Sequence, residues 1–157
     1  MIVVADTSPL NYLALIGEIE LLAAIYETVL IPEAVRQELL RDQAPSAVRK
    51  WAASLPAWCE VRSVNASADP ALNELDPGER DAILLALEAG IDTVLIDEIS
   101  GRREAARFRL HVIGTVALLE KAAQCGLINF RQAFQRLEHT NFRLASAIRD
   151  EFLRRNP

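Results

Sequence analysis

Short apolar runs alternate along this chain with stretches whose apolar residues recur every three or four positions. Ile2 to Ala5 is a continuous apolar run, the pattern of a strand buried on both faces. Ser8-Pro9 starts a helix that Leu10, Leu13, Ala14 and Ile16 continue until Gly17, and a second helix is expected over 18–26. Thr28 to Ile31 reads as the second strand. Pro32 takes a first helical position and opens a helix to about Arg41. A helix over 45–55 and a strand over 58–63 follow, then a loop-like polar stretch from Asn65 to Asn73. Pro77-Gly78 introduces a strongly periodic helix to about Ala89, closed by Gly90. Thr93 to Ile96 is a strand, Arg102 to Phe108 a helix and His111 to Ile113 a short strand. Helices are expected beyond it over about 115–124, 129–138 and 144–155. In the last, Leu144, Ile148 and Phe152 fall at i, i+4 and i+8, a stripe fit to cover a sheet edge or a dimer partner.

Strands alternating with amphipathic helices predict βαβ units, and hence an α/β fold: three α/β/α layers around a central, mostly parallel sheet. A chain of 157 residues suits one domain over 1–157, with 129–157 as its helical C-terminal extension. In such folds the functional crevice lies at the carboxyl ends of the strands.

Composition narrows the class. With 51% hydrophobic and 25% charged residues the chain is globular, and no apolar run reaches the roughly 20 residues of a membrane span. The opening MIVVADTSPL has no basic region before its apolar residues, so a cytoplasmic protein without membrane contact is expected. Cys59 and Cys125 are far apart, read as two buried reduced thiols, and His111 and His139 are isolated, which argues against a zinc site. The net charge of -5 conceals an asymmetry: residues 1–101 carry 6 basic and 17 acidic side chains, residues 102–157 carry 11 and 5. An acidic metal site beside a phosphate-binding surface would look like this, with Arg102 and Arg103 as candidate phosphate ligands. The competing reading is solvated helix faces held by local ion pairs.

The positions after the strands carry the chemistry. Asp6 follows the first strand, and Asp97 and Glu98 follow Thr93–Ile96. In the helix opened by Pro32, Glu38 shares a stripe with Val35 and Leu39 that should face the sheet. After Gly78, Glu79 leads the stripe Ile83, Ala86, Leu87, while Asp81 is turned away by roughly 200° at about 100° per residue. Asp6, Glu38, Glu79 and Asp97, with Glu98 as a fifth member, form a candidate cluster. Clustered carboxylates repel, and an all-oxygen site suits Mg²⁺ or Mn²⁺. Such an ion lowers the pKa of a bound water and orients it toward a phosphodiester.

The segments VVADTSPLNYLALIG, VLIPEAVRQELL, LDPGERDAILLALEAGIDTVLIDEISGRREA and HVIGTVALLEKAAQCGLI, in that order, resemble the PIN-domain superfamily, including the VapC-like toxins, as far as about residue 130. The resemblance implies a Mg²⁺/Mn²⁺-dependent ribonuclease with RNA as substrate. It also implies a toxin held by a small antitoxin, and a homodimer. Its four acids fall on Asp6, Glu38, Glu79 and the Asp97-Glu98 pair, where the register is undecided, with Thr7 and Ser8 steadying the first. Two departures bear on activity: the third acid is Glu79 where the toxins usually have Asp, and Ile96 replaces a frequent hydroxyl residue before the fourth. They leave open a different class, a catalytically weak PIN-fold module that binds RNA or a protein partner. Phosphoryl-transfer readings fit less well, because Ser8 stands where an aspartyl phosphatase needs a second acid and no phosphate-binding P-loop motif occurs.

Overall fold

A computed structural model describes residues 1–66 and 69–157. Five strands, β1 (Ile2–Ala5), β2 (Thr28–Pro32), β3 (Cys59–Arg62), β4 (Thr93–Leu95) and β5 (His111–Ile113), form one sheet in the order β3-β2-β1-β4-β5. Every neighbouring pair runs parallel, with Val4 opposite both Leu30 and Val94. The described helices are α1 (Thr7–Leu15), α2 (Leu21–Ile25), α3 (Glu33–Leu39), α4 (Ser46–Ala53), α5 (Pro70–Asn73), α6 (Pro77–Ala89), α7 (Ile99–Arg107), α8 (Thr115–Gln124), α9 (Phe130–Glu138) and α10 (Ser146–Arg155).

The period-2 geometry of the strands sorts their side chains into two cores. Val3, Ala5, Val29, Ile31 and Leu95 point to a layer built from α1–α4, α8 and α9. Val4, Leu30, Val94 and Ile96 point to the opposite layer of α5, α6 and α7. This is the expected three-layer arrangement, and the sheet is parallel throughout. Continuous apolar strands are therefore required, because both faces are covered.

Local differences from the sequence reading have physical causes. Pro32 ends β2 and caps α3 from an extended conformation (φ -74°, ψ 158°), so the helix starts one residue later than expected. The second helix shortens to Leu21–Ile25. Within the stretch expected to be a loop, Asp69 accepts from the Ala71 and Leu72 amides and Pro70 occupies the first turn, which forms α5; Ser67 and Ala68 lie outside the described residues. Helix α7 begins at Ile99, three residues before the expected start, and so takes in Ser100 and Gly101 despite their weak helix propensity. In α10 the stripe is incomplete: Leu144 and Phe152 pack against the core, but Ile148 is exposed and Leu144 precedes the helix. Of the two thiols only Cys59 is buried, which pushes its pKa up to about 12; Cys125 is exposed.

Ile83 of α6 is fully enclosed between the helix and the sheet. Ile83→Ala is expected to lower the unfolding free energy by about 3 kcal/mol in urea titration, the range for a buried large-to-small change.

Candidate active site

The carboxyl ends of β1 and β4 are adjacent, so Asp6 and Asp97 emerge side by side from the middle of the sheet. The order of the strands reverses between β1 and β4, which makes this edge the topological switch point. Asp6 is anchored by its amide, which donates to the Leu95 carbonyl at 2.9 Å, and it is only 3% exposed. Burial drives the Asp6 pKa up to about 8; the Thr7 amide opposes this, while Asp76, Glu38 and Asp97 add to it.

Glu38 reaches the same place from α3. Its Oε2 accepts from the Thr7 hydroxyl at 3.0 Å, and its pKa is raised, mainly by desolvation. Glu79, in the first turn of α6, is 4% exposed. Its pKa is pushed up to about 9, by burial first and then by a hydrogen bond to Asp76 and that residue's charge. Asp81 is turned away, as helix geometry required, and pairs with Arg80 at 2.9 Å.

Asp97 and Glu98 part company. Asp97 Oδ2 accepts from the Ser8 hydroxyl (2.8 Å) and the Thr115 hydroxyl (2.7 Å), and Oδ1 accepts from the Thr115 amide (2.7 Å). Glu98 is exposed at the start of α7. The hydroxyl absent at Ile96, which is buried in the core, has counterparts in Thr7, Ser8 and Thr115 around the acids.

Two participants were missed by the sequence reading. Asp76 caps α6, accepting the Glu79 amide at 2.9 Å, and its charge is felt by Asp6, Glu38 and Glu79. An Asp directly before Pro77 is a helix-start signal that would have located it. Thr115 follows β5 as Asp97 follows β4, so the strand-end rule applied to this strand as well.

Glycines let the backbone close on the acids. A Cβ at Gly78 would stand 2.5 Å from Glu38 Oε1 and 3.0 Å from Asp6 Oδ1. At Gly101 it would stand 2.5 Å from Glu79 Oε2. Asp6 Oδ1 and Glu38 Oε1 are both buried without a hydrogen-bond partner. Buried polar atoms of this kind call for an explanation, and an ion is one. Among the described residues no three His, Cys, Asp or Glu side chains stand in a finished ligand array. The donors nevertheless fit a hard divalent cation in kind: all are carboxylate oxygens, and two converge unpartnered beside Gly78.

Half of the arginines of the basic segment are committed to carboxylates. Arg107 pairs with Glu104 and Asp69, Arg136 with Glu18, Arg149 with Glu138, Arg154 with Glu151 and Arg155 with Glu120. Carboxylate pairing thus takes up half of the arginines of this segment, and the α10 arginines are not a free phosphate surface. Arg102 and Arg103 are exposed and form no ion pair among the described residues.

A parallel three-layer fold with acids gathered at its switch point defines a nuclease-type α/β domain. A family model described as a PIN domain matches residues 2–156, and the chain belongs to that family. No curated protein and no solved structure matches it significantly. PIN domains are generally nucleases that act on nucleic acid and typically use divalent metals. Among the described residues no helix is long and apolar enough to cross a membrane.

The raised acids set a sign for pH dependence. Their neutral forms are favoured in the folded state, so each contributes stability below its unfolded pKa that is lost as pH rises toward the folded value. For Asp6 that window runs from 3.8 to about 8. Without divalent ions the melting temperature should fall across this range, and Asp6→Asn should flatten the fall and melt higher at pH 8, as calorimetric scans would show.

Proposed function

We propose that the protein is a divalent-metal-dependent ribonuclease that hydrolyses RNA phosphodiester bonds at the carboxyl edge of β1 and β4. The observation that carries this reading is the pair of buried, unpartnered oxygens of Asp6 and Glu38 converging beside Gly78. Asp6, Glu38, Glu79 and Asp97 would hold Mg²⁺ or Mn²⁺, with Asp76 behind Glu79 and Glu98 at the exposed rim. When bound, the ion supplies an activated, oriented water and offsets charge developing on the phosphate.

The chain's own groups do the positioning. Thr7 fixes Glu38 through one oxygen and leaves the other free, while Ser8 and Thr115 immobilise Asp97 from two helices. Burial excludes water from Asp6 and Glu79, so electrostatic interactions there are stronger than at the surface. Resemblance to the VapC-like toxins extends the reading to a cytoplasmic toxin held by a small antitoxin, and to a homodimer.

Calorimetric titration with Mn²⁺, paired with cleavage of a structured RNA, tests the proposal. Wild type should bind in the micromolar-to-millimolar range, and Asp6→Asn and Asp97→Asn should lose both binding and cleavage, the latter by on the order of a hundredfold or more. Asp76→Asn should weaken Mn²⁺ binding by on the order of tenfold, as loss of a carboxylate supporting a ligand does. Wild type that binds no Mn²⁺ would sink the catalytic reading and leave a module that binds RNA or a protein partner.

A further inference from the structure

The Asp97 carboxylate takes its hydrogen bonds from two helices at once. Ser8 of α1 and Thr115 of α8 both donate their hydroxyls to Oδ2, and the Thr115 amide donates to Oδ1. Its orientation therefore depends on how α1 and α8 stand relative to each other. A shift of about 1 Å in either helix would take a hydroxyl past hydrogen-bonding distance.

The C-terminal segment holds both helices from outside. On α1, Tyr12 lies one turn beyond Ser8 and on the same face. Its hydroxyl donates to Asn141 Oδ1 at 2.8 Å, and its ring meets Phe142 edge-on with centroids 5.0 Å apart. Burial raises the Tyr12 pKa, the Asp97 and Glu98 charges add to it and Arg143 opposes them, so this contact sits beside the acidic edge. On α8, Glu120 lies five residues beyond Thr115. It accepts a bidentate contact from Arg155 at 3.0 and 2.9 Å, and a further bond from the Asn156 side-chain amide at 2.9 Å. Bidentate pairing of this kind fixes orientation as well as distance.

The segment itself is lightly seated. Helix α10 contributes no buried side chain; Phe152 stacks on Phe130, and Arg131 donates to the Leu153 and Asn156 carbonyls. An element docked through such contacts opens at a lower free energy than one with buried side chains. Helices α1 and α8 have buried anchors of their own in Leu10, Leu13, Leu118 and Leu119, so opening the segment removes their outer contacts and not their seats in the core.

We propose that the segment from Asn141 to Asn156 is a clamp on Asp97, with Tyr12 and Arg155 as its positioning residues: it holds α1 and α8 at the spacing that brings the Ser8 and Thr115 hydroxyls onto one carboxylate oxygen. The inference rests on the metal-dependent reading above and adds to it a control point remote from the acids. Whatever loosens the segment loosens a metal-holding carboxylate while leaving the acids themselves untouched.

Two variants test the clamp: Tyr12→Phe, which removes only a hydroxyl, and Arg155→Ala, which removes an exposed side chain. Hydrogen exchange of the Thr115 amide, followed by NMR in metal-free protein, reads the bond to Asp97 with no ion present. Each variant should speed this exchange about threefold. Each should weaken Mn²⁺ binding in calorimetry about threefold, less than the loss of a group that touches the ligand directly. In cleavage of a structured RNA, kcat should fall while KM stays the same. In a Ser8→Ala parent, Tyr12→Phe should weaken Mn²⁺ binding no further, because its effect passes through Ser8. Variants with the Thr115 exchange and Mn²⁺ affinity of wild type overturn the clamp. So does exchange that quickens throughout α1 and α8 in step with a lower melting temperature, which would make the segment a general stabiliser. Wild type that binds no Mn²⁺, with Thr115 exchange still selectively faster in the variants, sinks the metal reading and leaves the clamp on Asp97 standing.

Discussion

A carboxyl group at the end of β1, shut away from water with three other acids around it, is the constraint to which the rest of this structure answers. Asp6 sits where its charged form is disfavoured by burial and opposed by Asp76, Glu38 and Asp97. An isolated buried charge is expensive in any protein interior, and neighbouring acids add to the expense. The chain has two ways to relieve it, a proton or a cation. The proton suffices for folding; in the proposed function the cation would serve hydrolysis, and the same strain that lowers stability near neutral pH would favour binding of a divalent ion. The two apolar cores on either side of the sheet supply the stability against which this strain is set.

Topology decides where the strain is placed. Chain order runs from β1 out to β2 and β3 on one side, then returns to β4 and β5 on the other. The helices that follow β1 and β4 therefore depart on opposite faces, α1 into one layer and α7 into the other. That divergence opens the crevice, and the last residues of the two strands deliver Asp6 and Asp97 into it. Helices α3 and α6 carry Glu38 and Glu79 in from the sides, and Gly78 and Gly101 permit the approach because no Cβ stands in the way. The site is thus assembled from four separated segments.

How much of this was legible in the sequence depends on which signal each feature uses. The strands were legible because burial on both faces demands continuous apolar runs, as Ile2–Ala5 shows. The inward turn of Glu79 followed from helical periodicity alone, and the structure buries it, whereas the half-buried Asp81 pairs with Arg80. The different surroundings of Asp97 and Glu98 were not legible, since Asp97 is held by donors far away in sequence, Ser8 and Thr115, while Glu98 is exposed. Asp76 escaped notice because its capping role hid its nearness to three acids, a fact of tertiary structure. The start of α7 was misplaced because Ser100 and Gly101 are poor helix formers individually, yet Gly101 is small enough to admit Glu79 beside the helix.

Charge counting along the chain illustrates the same limit from the other direction. The basic surplus of residues 102–157 reads as one phosphate-binding surface, yet half of those arginines are held by glutamates and aspartates. Exposed pairs of this kind add little to stability, but they occupy the guanidinium donors all the same. What bears on binding is therefore which arginines are left over and what lies beside them. Arg102 and Arg103 are unpaired among the described residues, they flank an apolar groove, and Arg102 reaches the point where Asp97 meets Gly114. A polyanion drawn to them would meet the acidic centre at its edge, where an ion held by the carboxylates would turn local repulsion into attraction. Cation and strand would then bind cooperatively, each reducing the charge that opposes the other.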